Sequence, residues 1–389
     1  MRKSFLVSAA ALLCALFAGG TAAADVFYTT ENGTAGTLGT IVIRSAESID
    51  SPVTVVSGLG TSLDVSAFGV DGGTRVLLTH RSADSNDTAA VYTPGTWTSS
   101  TDCVLTGTTN LHGATNSGNG RSLYTASWGN GSIVEYATST FTATGNKYTY
   151  TPSNGTARGV DVLSGSSVFG LFSVQSGDTG LASRVVWMDG QISDKVQGFG
   201  GTDASPNASE MTFLSDGRIA IAYLGNGGKG GIDLLNRGAV SSLISADVSG
   251  DQYGEVPTLC SDGDNGLYFV SHNVSNDVTT NALYRWKQDN TFTAISGDLG
   301  SGSFFRLAWD DSNKLVVLAA SNRIAIFRVE DEEVKQLRSF EITRPVTSMA
   351  LTAAAGSSDS SSSSGCSALA AGSLVLLLLP LTALGRRKR

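Results

Sequence analysis

Short apolar runs of five or six residues, separated by polar turns, recur along this chain at a nearly constant interval. The runs are rich in Val, Ile, Leu and aromatic side chains, the composition typical of a buried strand. Seven of them begin 46 to 51 residues apart, at Asp25, Arg75, Arg121, Ser167, Arg218, Gly266 and Lys314. A repeat of this length indicates an array of similar supersecondary units that bury their apolar faces against one another.

Each repeat contains enough patterned sequence for four strands. The apolar run is the second strand, and a third apolar strand follows it, as in residues 40–44 and 324–327. A more polar fourth strand comes next, as expected for an outer strand with one face in water. An inner strand precedes the run, as in residues 211–214 and 307–309. Four strands every 45 to 50 residues is the requirement of a β-propeller blade.

The two ends of the repeat region complement each other. The chain enters its first repeat at a second strand, and residues 346–352 read as an inner strand that has no blade of its own. If that strand joins the first repeat, the ring closes and two exposed sheet edges disappear. The sequence therefore predicts an all-β, seven-bladed β-propeller closed by residues 346–352. Six or eight blades would require one repeat to be misassigned.

The turns between inner and second strands are rich in Gly, Asp and Asn, as in residues 215–217 and 262–266, which suits tight hairpins. In this chemistry the repeats resemble the degenerate seven-bladed propellers of the YVTN/NHL/WD40-like superfamily. No repeat carries a Gly-His…Trp-Asp pair or a Tyr-Val-Thr-Asn tetrapeptide. The resemblance therefore implies the architecture, and the partner binding common among extracytoplasmic propellers, but it transfers no site residues.

Residues 1–24 have the pattern of a secretory signal peptide. Arg2 and Lys3 form a basic start, residues 5–17 an apolar stretch, and small residues lead to a cleavage site after Ala24. We therefore expect export, and a mature propeller domain that spans residues 25–355.

The other end has three consecutive features. Residues 356–365 form a Ser-rich linker, and residues 366–389 begin with Cys366, continue with an apolar segment at 368–384 and end in an Arg/Lys tip. This order resembles the synergistes-type C-terminal sorting tails of bacterial envelope proteins. The resemblance implies recognition by an envelope sorting protease, processing beside Cys366 and transfer to the cell surface. The alternative is an ordinary single-pass membrane anchor with a cytoplasmic tip, and both place the propeller outside the cytoplasm.

The charge balance excludes one class of partner. The formal net charge is −8, and it becomes −14 without the six basic residues of the two ends. An acidic surface lacks the Lys/Arg clusters that displace counterions from phosphates, so we expect no nucleic acid.

Cys103 and Cys260 belong to blades that are not adjacent, and we expect both to be reduced.

One end of the ring is the candidate ligand site. When the repeats are aligned, polar residues occupy similar positions where the chain enters the inner strands: His112, Arg158, Glu210, Glu255 and Arg306. Convergent polar groups at a concave centre are typical of ligand sites, here for a protein or a glycan. The alternative is that the Arg and Glu side chains pair with each other and seal the channel.

The motifs of dedicated catalysis are missing from the sequence. It contains three His and no Gly-x-Ser-x-Gly, His-Glu-x-x-His or phosphate-loop motif. Glu210 and Glu255 could form an acid–base pair for glycoside chemistry. We therefore predict a non-enzymatic binding module at the cell surface or envelope. The alternative is an extracytoplasmic carbohydrate-active hydrolase or lyase that uses the central face.

Calcium is the one metal that the sequence brings into consideration. Asp84, Asp87 and Asp277 lie in oxygen-rich loops between second and third strands, and Ca²⁺ favours such oxygens. The loops lack the fixed ligand spacing of an EF-hand, and turn-forming Asp and Asn residues explain them without a metal. The sequence therefore predicts no resident cofactor.

Overall fold

The structure is a computed structural model that describes residues 24–352 apart from several short segments. These segments are residues 71–72, 81–87, 106–107, 109, 117–120, 128, 150–154, 164–166, 175–183, 189–191, 194–206, 225–229, 237–238, 245–253, 276–277, 297–298, 300–304 and 331–332. The predicted signal peptide up to residue 23, the Ser-rich linker and the C-terminal tail lie outside the described residues.

The described strands form one five-stranded sheet and six four-stranded sheets, which we call blades 1 to 7 in chain order. Blade 1 contains β1 (Ala24–Glu31), β2 (Gly36–Ser45), β3 (Ser48–Ile49) and β4 (Val53–Leu59). Blade 2 contains β5 (Leu63–Val70), β6 (Gly73–His80), β7 (Thr88–Tyr92) and β8 (Ser99–Val104). Blade 3 contains β9 (Leu111–Asn116), β10 (Ser122–Ser127), β11 (Ser132–Ala137) and β12 (Thr142–Thr149).

The remaining blades repeat the same order. Blade 4 contains β13 (Gly155–Leu163), β14 (Ser167–Val174), β15 (Arg184–Met188) and β16 (Ile192–Ser193). Blade 5 contains β17 (Asn207–Phe213), β18 (Ile219–Leu224), β19 (Gly230–Asn236) and β20 (Ala239–Ile244). Blade 6 contains β21 (Glu255–Ser261), β22 (Leu267–Ser275), β23 (Val278–Trp286) and β24 (Phe292–Ser296). Blade 7 contains β25 (Phe305–Asp310), β26 (Leu315–Ala320), β27 (Arg323–Glu330) and β28 (Glu333–Glu341), and β29 (Val346–Leu351) returns to blade 1.

The blades are arranged in a closed circle around their inner strands. Each inner strand packs against the inner strand of the next blade, in the order β5, β9, β13, β17, β21, β25, β29 and back to β5. The all-β propeller class predicted from the repeat is therefore confirmed, and each of the seven apolar runs is the second strand of its sheet.

The last strand closes the ring as the sequence predicts. β29 pairs antiparallel with β1, with Val26 opposite Leu351 and Tyr28 opposite Met349. The pairing continues one residue beyond the strand, where the backbone N–H of Thr352 donates to the carbonyl oxygen of Asp25 at 2.9 Å. Because strand pairing satisfies the backbone groups of both partners, neither β1 nor β29 is left as an open edge.

The apolar core lies between neighbouring blades. Every residue of β26 is buried, whereas every residue of β28, at the outer edge of the same sheet, is at least partly exposed. This contrast is expected because second strands are covered on both faces by the adjoining sheets. Cys260 is a buried thiol, reduced as predicted, while the side chain of Cys103 lies outside the described part of the chain.

Candidate functional site

One end of the ring gathers the starts of the inner strands and the ends of the second strands. In blade 6 this is seen directly, because Glu255 at the start of β21 lies opposite His272 near the end of β22. We call this end of the propeller the entry face. It is the end to which sequence reasoning assigned the ligand site.

Glu210 is a buried structural carboxylate within the inner strand β17. It is only 5% exposed. Its carboxylate accepts hydrogen bonds from Thr258 Oγ1 at 2.5 Å and from the backbone N–H of Leu259 at 3.2 Å, both on β21 of the next blade. A carboxylate that receives two buried donors compensates for the loss of its hydration. Glu210 therefore joins blade 5 to blade 6.

The contact from Glu210 is one copy of a recurring connection between inner strands. Thr258 Oγ1 in turn accepts a hydrogen bond from the backbone N–H of Leu307 in blade 7 at 3.1 Å. Across the ring closure, Ser348 accepts the backbone N–H of Val65 at 3.1 Å. In each case a polar side chain on one inner strand satisfies a buried N–H on the next inner strand. The position equivalent to Glu210 in blade 6 is thus Thr258, and not Glu255 as the sequence alignment suggested.

A further carboxylate stabilises the seam, by which we mean the place where β29 closes the ring between β1 and the inner strand β5. Glu31, at the end of β1, accepts the backbone N–H groups of Ser62 at 2.9 Å and Leu63 at 2.6 Å. The hydroxyl of Thr347 on β29 donates to the same carboxylate at 3.3 Å. Glu31 lies at the end of a second strand, outside the inner-strand entries at which the sequence predicts ligand-site residues.

The second carboxylate that the sequence singled out has different surroundings. Glu255 is partly exposed at the entry face. Burial raises the pKa of its carboxyl group, and the charge of His272 opposes that effect. The Nδ1 atom of His272 lies 2.6 Å from Oδ1 of Asn281, its partner on β23. Glu255, His272 and Asn281 thus form a polar row across three strands of blade 6.

The structure places the other predicted site residues on inner strands, as expected. His112 lies in β9 and Arg158 lies in β13, at a register shift between Ala157 and Gly159. The side chains of His112 and Arg158 are outside the described part of the chain. Arg306 lies in β25, where its Nη1 donates to the carbonyl oxygen of Phe305 at 3.0 Å.

The predicted oxygen-rich loops give no metal site that can be described. Asp84, Asp87 and Asp277 all lie outside the described residues. Within the described residues, no group of three or more His, Cys, Asp or Glu side chains is arranged to hold a metal ion. In the same part of the chain, no helix has both the length and the apolar character needed to cross a membrane.

The closed ring of four- and five-stranded sheets defines a β-propeller. No protein-family model matches the sequence, and no curated protein sequence is significantly similar to it. Solved structures do match. A periplasmic gluconolactonase of Pseudomonas aeruginosa has a TM-score of 0.60 at 13% identity, with 85% of this chain and 99% of that chain covered.

Two further solved structures show the same fold. A putative 6-phosphogluconolactonase of Bacteroides fragilis has a TM-score of 0.58 at 14% identity, with 85% of this chain and 98% of that chain covered. The WD40 domain of Toxoplasma gondii coronin has a TM-score of 0.51 at 8% identity, with 73% of this chain and 76% of that chain covered. At these identities the likeness establishes the fold, which different proteins use for different functions.

Proposed function

We propose that this protein is a non-enzymatic binding module whose entry face takes a protein or glycan ligand. The proposal rests on the surroundings of Glu210. This carboxylate was half of the predicted acid–base pair, yet it is buried and accepts two hydrogen bonds from the neighbouring blade. A carboxylate committed in this way supports a rigid scaffold rather than proton transfer to a substrate.

The proposed place of action is outside the cytoplasm. The signal-peptide pattern of residues 1–24 and the tail with Cys366 and the apolar segment 368–384 support export followed by anchoring. The tail would be the substrate of an envelope sorting protease, or would remain in the membrane as an anchor. In both cases the linker at 356–365 lets the propeller stand away from the membrane.

The test is a ligand screen in which two carboxylates are compared. The full-length chain is applied to a glycan array and to a pull-down from envelope extracts, beside Glu255→Gln and Glu210→Gln. We expect Glu255→Gln to weaken capture of a specific ligand at least tenfold without lowering the thermal midpoint. Glu210→Gln should instead lower the midpoint and leave the affinity of the folded fraction unchanged. Capture unaffected by Glu255→Gln would contradict the placement of the site.

A carbohydrate-active hydrolase is the second candidate, and one observation favours it. Burial raises the pKa of Glu255, which lies opposite His272, and proton-transfer groups commonly have perturbed pKa values. One of the similar solved structures is named a putative 6-phosphogluconolactonase and another a periplasmic gluconolactonase, so a sugar lactone is the first substrate to try. Hydrolysis of glucono-1,5-lactone above the buffer rate, abolished by Glu255→Gln, would favour the enzyme over the binding module.

A further inference from the structure

The imidazole ring of His272 makes a hydrogen bond within blade 6 that restricts which of its nitrogens carries the proton. Its Nδ1 atom lies 2.6 Å from Oδ1 of Asn281. Asn281 is fully buried on the adjacent strand, and its backbone oxygen accepts the N–H of Leu299 at 2.8 Å. Because the backbone around Asn281 is fixed, its side chain can hold the imidazole ring in one orientation.

The partner of Nδ1 decides which ring nitrogen carries the proton. An amide oxygen can only accept a hydrogen bond, so Nδ1 must be the donor. In the neutral imidazole the other nitrogen, Nε2, is then an acceptor with a lone pair. A buried asparagine thereby orients the ring and selects its tautomer, the role that a carbonyl or carboxylate plays behind many functional histidines.

The surroundings of the ring are suited to a small polar ligand. Glu255 lies opposite His272 on β21, and both side chains are partly exposed. The ring of Phe305, from the neighbouring blade 7, lies 6.5 Å from the imidazole ring, centre to centre. The Phe305 ring is itself buried, so it packs against the imidazole from the core side. The partly exposed His272 and Glu255 are therefore the groups that this position offers to a ligand, as hydrogen-bond acceptors for hydroxyl groups.

We propose that His272 and Glu255 form a hydroxyl-binding subsite for a neutral sugar ring, and that Asn281 is the positioning residue that keeps His272 Nε2 as an acceptor. The subsite rests on the proposed ligand-binding role of the entry face and gives it a ligand chemistry.

Nitrogen NMR of the histidine rings tests the tautomer without any ligand. The chain has three His, so His80 and His112 serve as internal references in the full-length protein labelled with ¹⁵N-histidine. At alkaline pH, where imidazoles are neutral, we expect His272 to show a protonated Nδ1 and an unprotonated Nε2. A dominant Nε2–H form would overturn the proposal, and it would leave the broader binding role of the entry face standing.

Two substitutions separate positioning from folding. Asn281→Asp keeps an oxygen acceptor of the same shape, so the Nδ1–H form should persist. Asn281→Leu removes the acceptor at similar size, so the population of the Nε2–H form should rise at least fivefold. Unchanged tautomer populations in Asn281→Leu would overturn the positioning role. If Asn281→Leu does not fold, Asn281→Ser, which also loses the amide oxygen, replaces it in this comparison.

The ligand class is tested with a neutral pyranoside, methyl α-D-glucopyranoside. Its addition should shift the Nε2 signal of His272, and Glu255→Gln should weaken that response at least threefold. A Nε2 signal that does not move up to the solubility limit of the sugar would overturn the sugar assignment. A glycan-array or pull-down ligand could still be found in that case, so failure of the subsite and failure of the binding role are distinguishable.

Discussion

At the scale of single residues, two glutamates with the same sequence signature have different roles. Both start from inner-strand positions of neighbouring blades. Glu210 is buried and receives two donors from the next blade, whereas Glu255 remains partly exposed beside His272. The difference arises from what each carboxylate meets across the blade boundary, because burial of a charge is tolerated only where donors are supplied.

The first prediction concerns the connection made by Glu210. Replacing Glu210 with Ala should lower the free energy of unfolding by about 2–4 kcal/mol, because the hydroxyl of Thr258 and the N–H of Leu259 lose a charged acceptor. Glu210→Gln keeps one oxygen acceptor and should cost less. Equilibrium urea unfolding gives both values. Equal stability of the Ala variant and the wild type would contradict the role of Glu210 as a link between blades.

The second prediction concerns the pH dependence of Glu255. Burial raises the pKa of this carboxyl group above its ordinary value of 4.5, so the folded state binds the proton more tightly than the unfolded chain. Its contribution to stability is then present below pH 4.5 and is lost as the pH rises through the folded pKa. Glu255→Gln should remove this loss.

Unfolding free energies measured at several values between acidic and neutral pH test that prediction. The stability of Glu255→Gln relative to wild type should increase as the pH rises through this window. The matched control is Glu341→Gln, which replaces an exposed glutamate at the end of the outer strand β28 that lacks the burial acting on Glu255. A constant difference between Glu255→Gln and wild type would show that the carboxyl group is not perturbed.

At the scale of strands, a glycine on one strand and a tyrosine directly opposite it on the next strand pack against each other. Gly39 lies opposite Tyr28 in blade 1, and Gly231 lies opposite Tyr223 in blade 5. A β-carbon added at Gly39 would lie 2.3 Å from Cζ of Tyr28, and one added at Gly231 would lie 2.3 Å from the Tyr223 hydroxyl oxygen. The tyrosine rings occupy the space that a side chain at glycine would need, so they cover backbone that glycine leaves bare.

The third prediction follows from that fit. Gly39→Ala should lower the free energy of unfolding by about 1–3 kcal/mol, because the ring of Tyr28 must move away from a well-packed position. The same substitution in a Tyr28→Ala background should cost much less. A double-mutant cycle measures this coupling. Additive effects of the two substitutions would mean that the ring does not restrict residue 39.

At the scale of the whole molecule, the first and last segments of the domain hold the circle together. β1 pairs with β29, and β29 also packs against the inner strand of blade 2. Glu31 and Ser348 add hydrogen bonds across the same seam. The β1–β29 pairing and the bond between Ser348 and Val65 join residues more than 280 positions apart. The ring therefore closes only when both ends of the domain are present.

The fourth prediction tests this closure by truncation. A chain that ends at residue 345 lacks β29 and should unfold at a lower temperature, bind a hydrophobic dye and tend to aggregate, because β1 becomes an open edge. A chain that ends at residue 355 keeps β29 and should match the full-length chain in its unfolding midpoint. Calorimetry and size-exclusion chromatography compare the three proteins. Equal midpoints for the two truncated chains would contradict closure by β29.

The amino-acid sequence by itself determined the repeat, the strand order within each blade and the closing strand. These properties depend on local alternation of apolar and polar residues and on turn residues, which act within a few positions of the chain. The closing role of residues 346–352 followed from counting strands, and the pairing of Val26 with Leu351 agrees with it.

Only the tertiary structure decided which polar side chains meet. The pairing of β21 with β22 shifts register between Glu255 and Thr258, and that of β17 with β18 shifts between Ala208 and Glu210. Such irregularities displace the alignment of one repeat on another, so Thr258 and not Glu255 takes the position of Glu210. The tautomer-setting contact of His272 with Asn281 likewise depends on strand register. Register is a long-range property of paired strands, and hydrophobic periodicity alone cannot specify where it shifts.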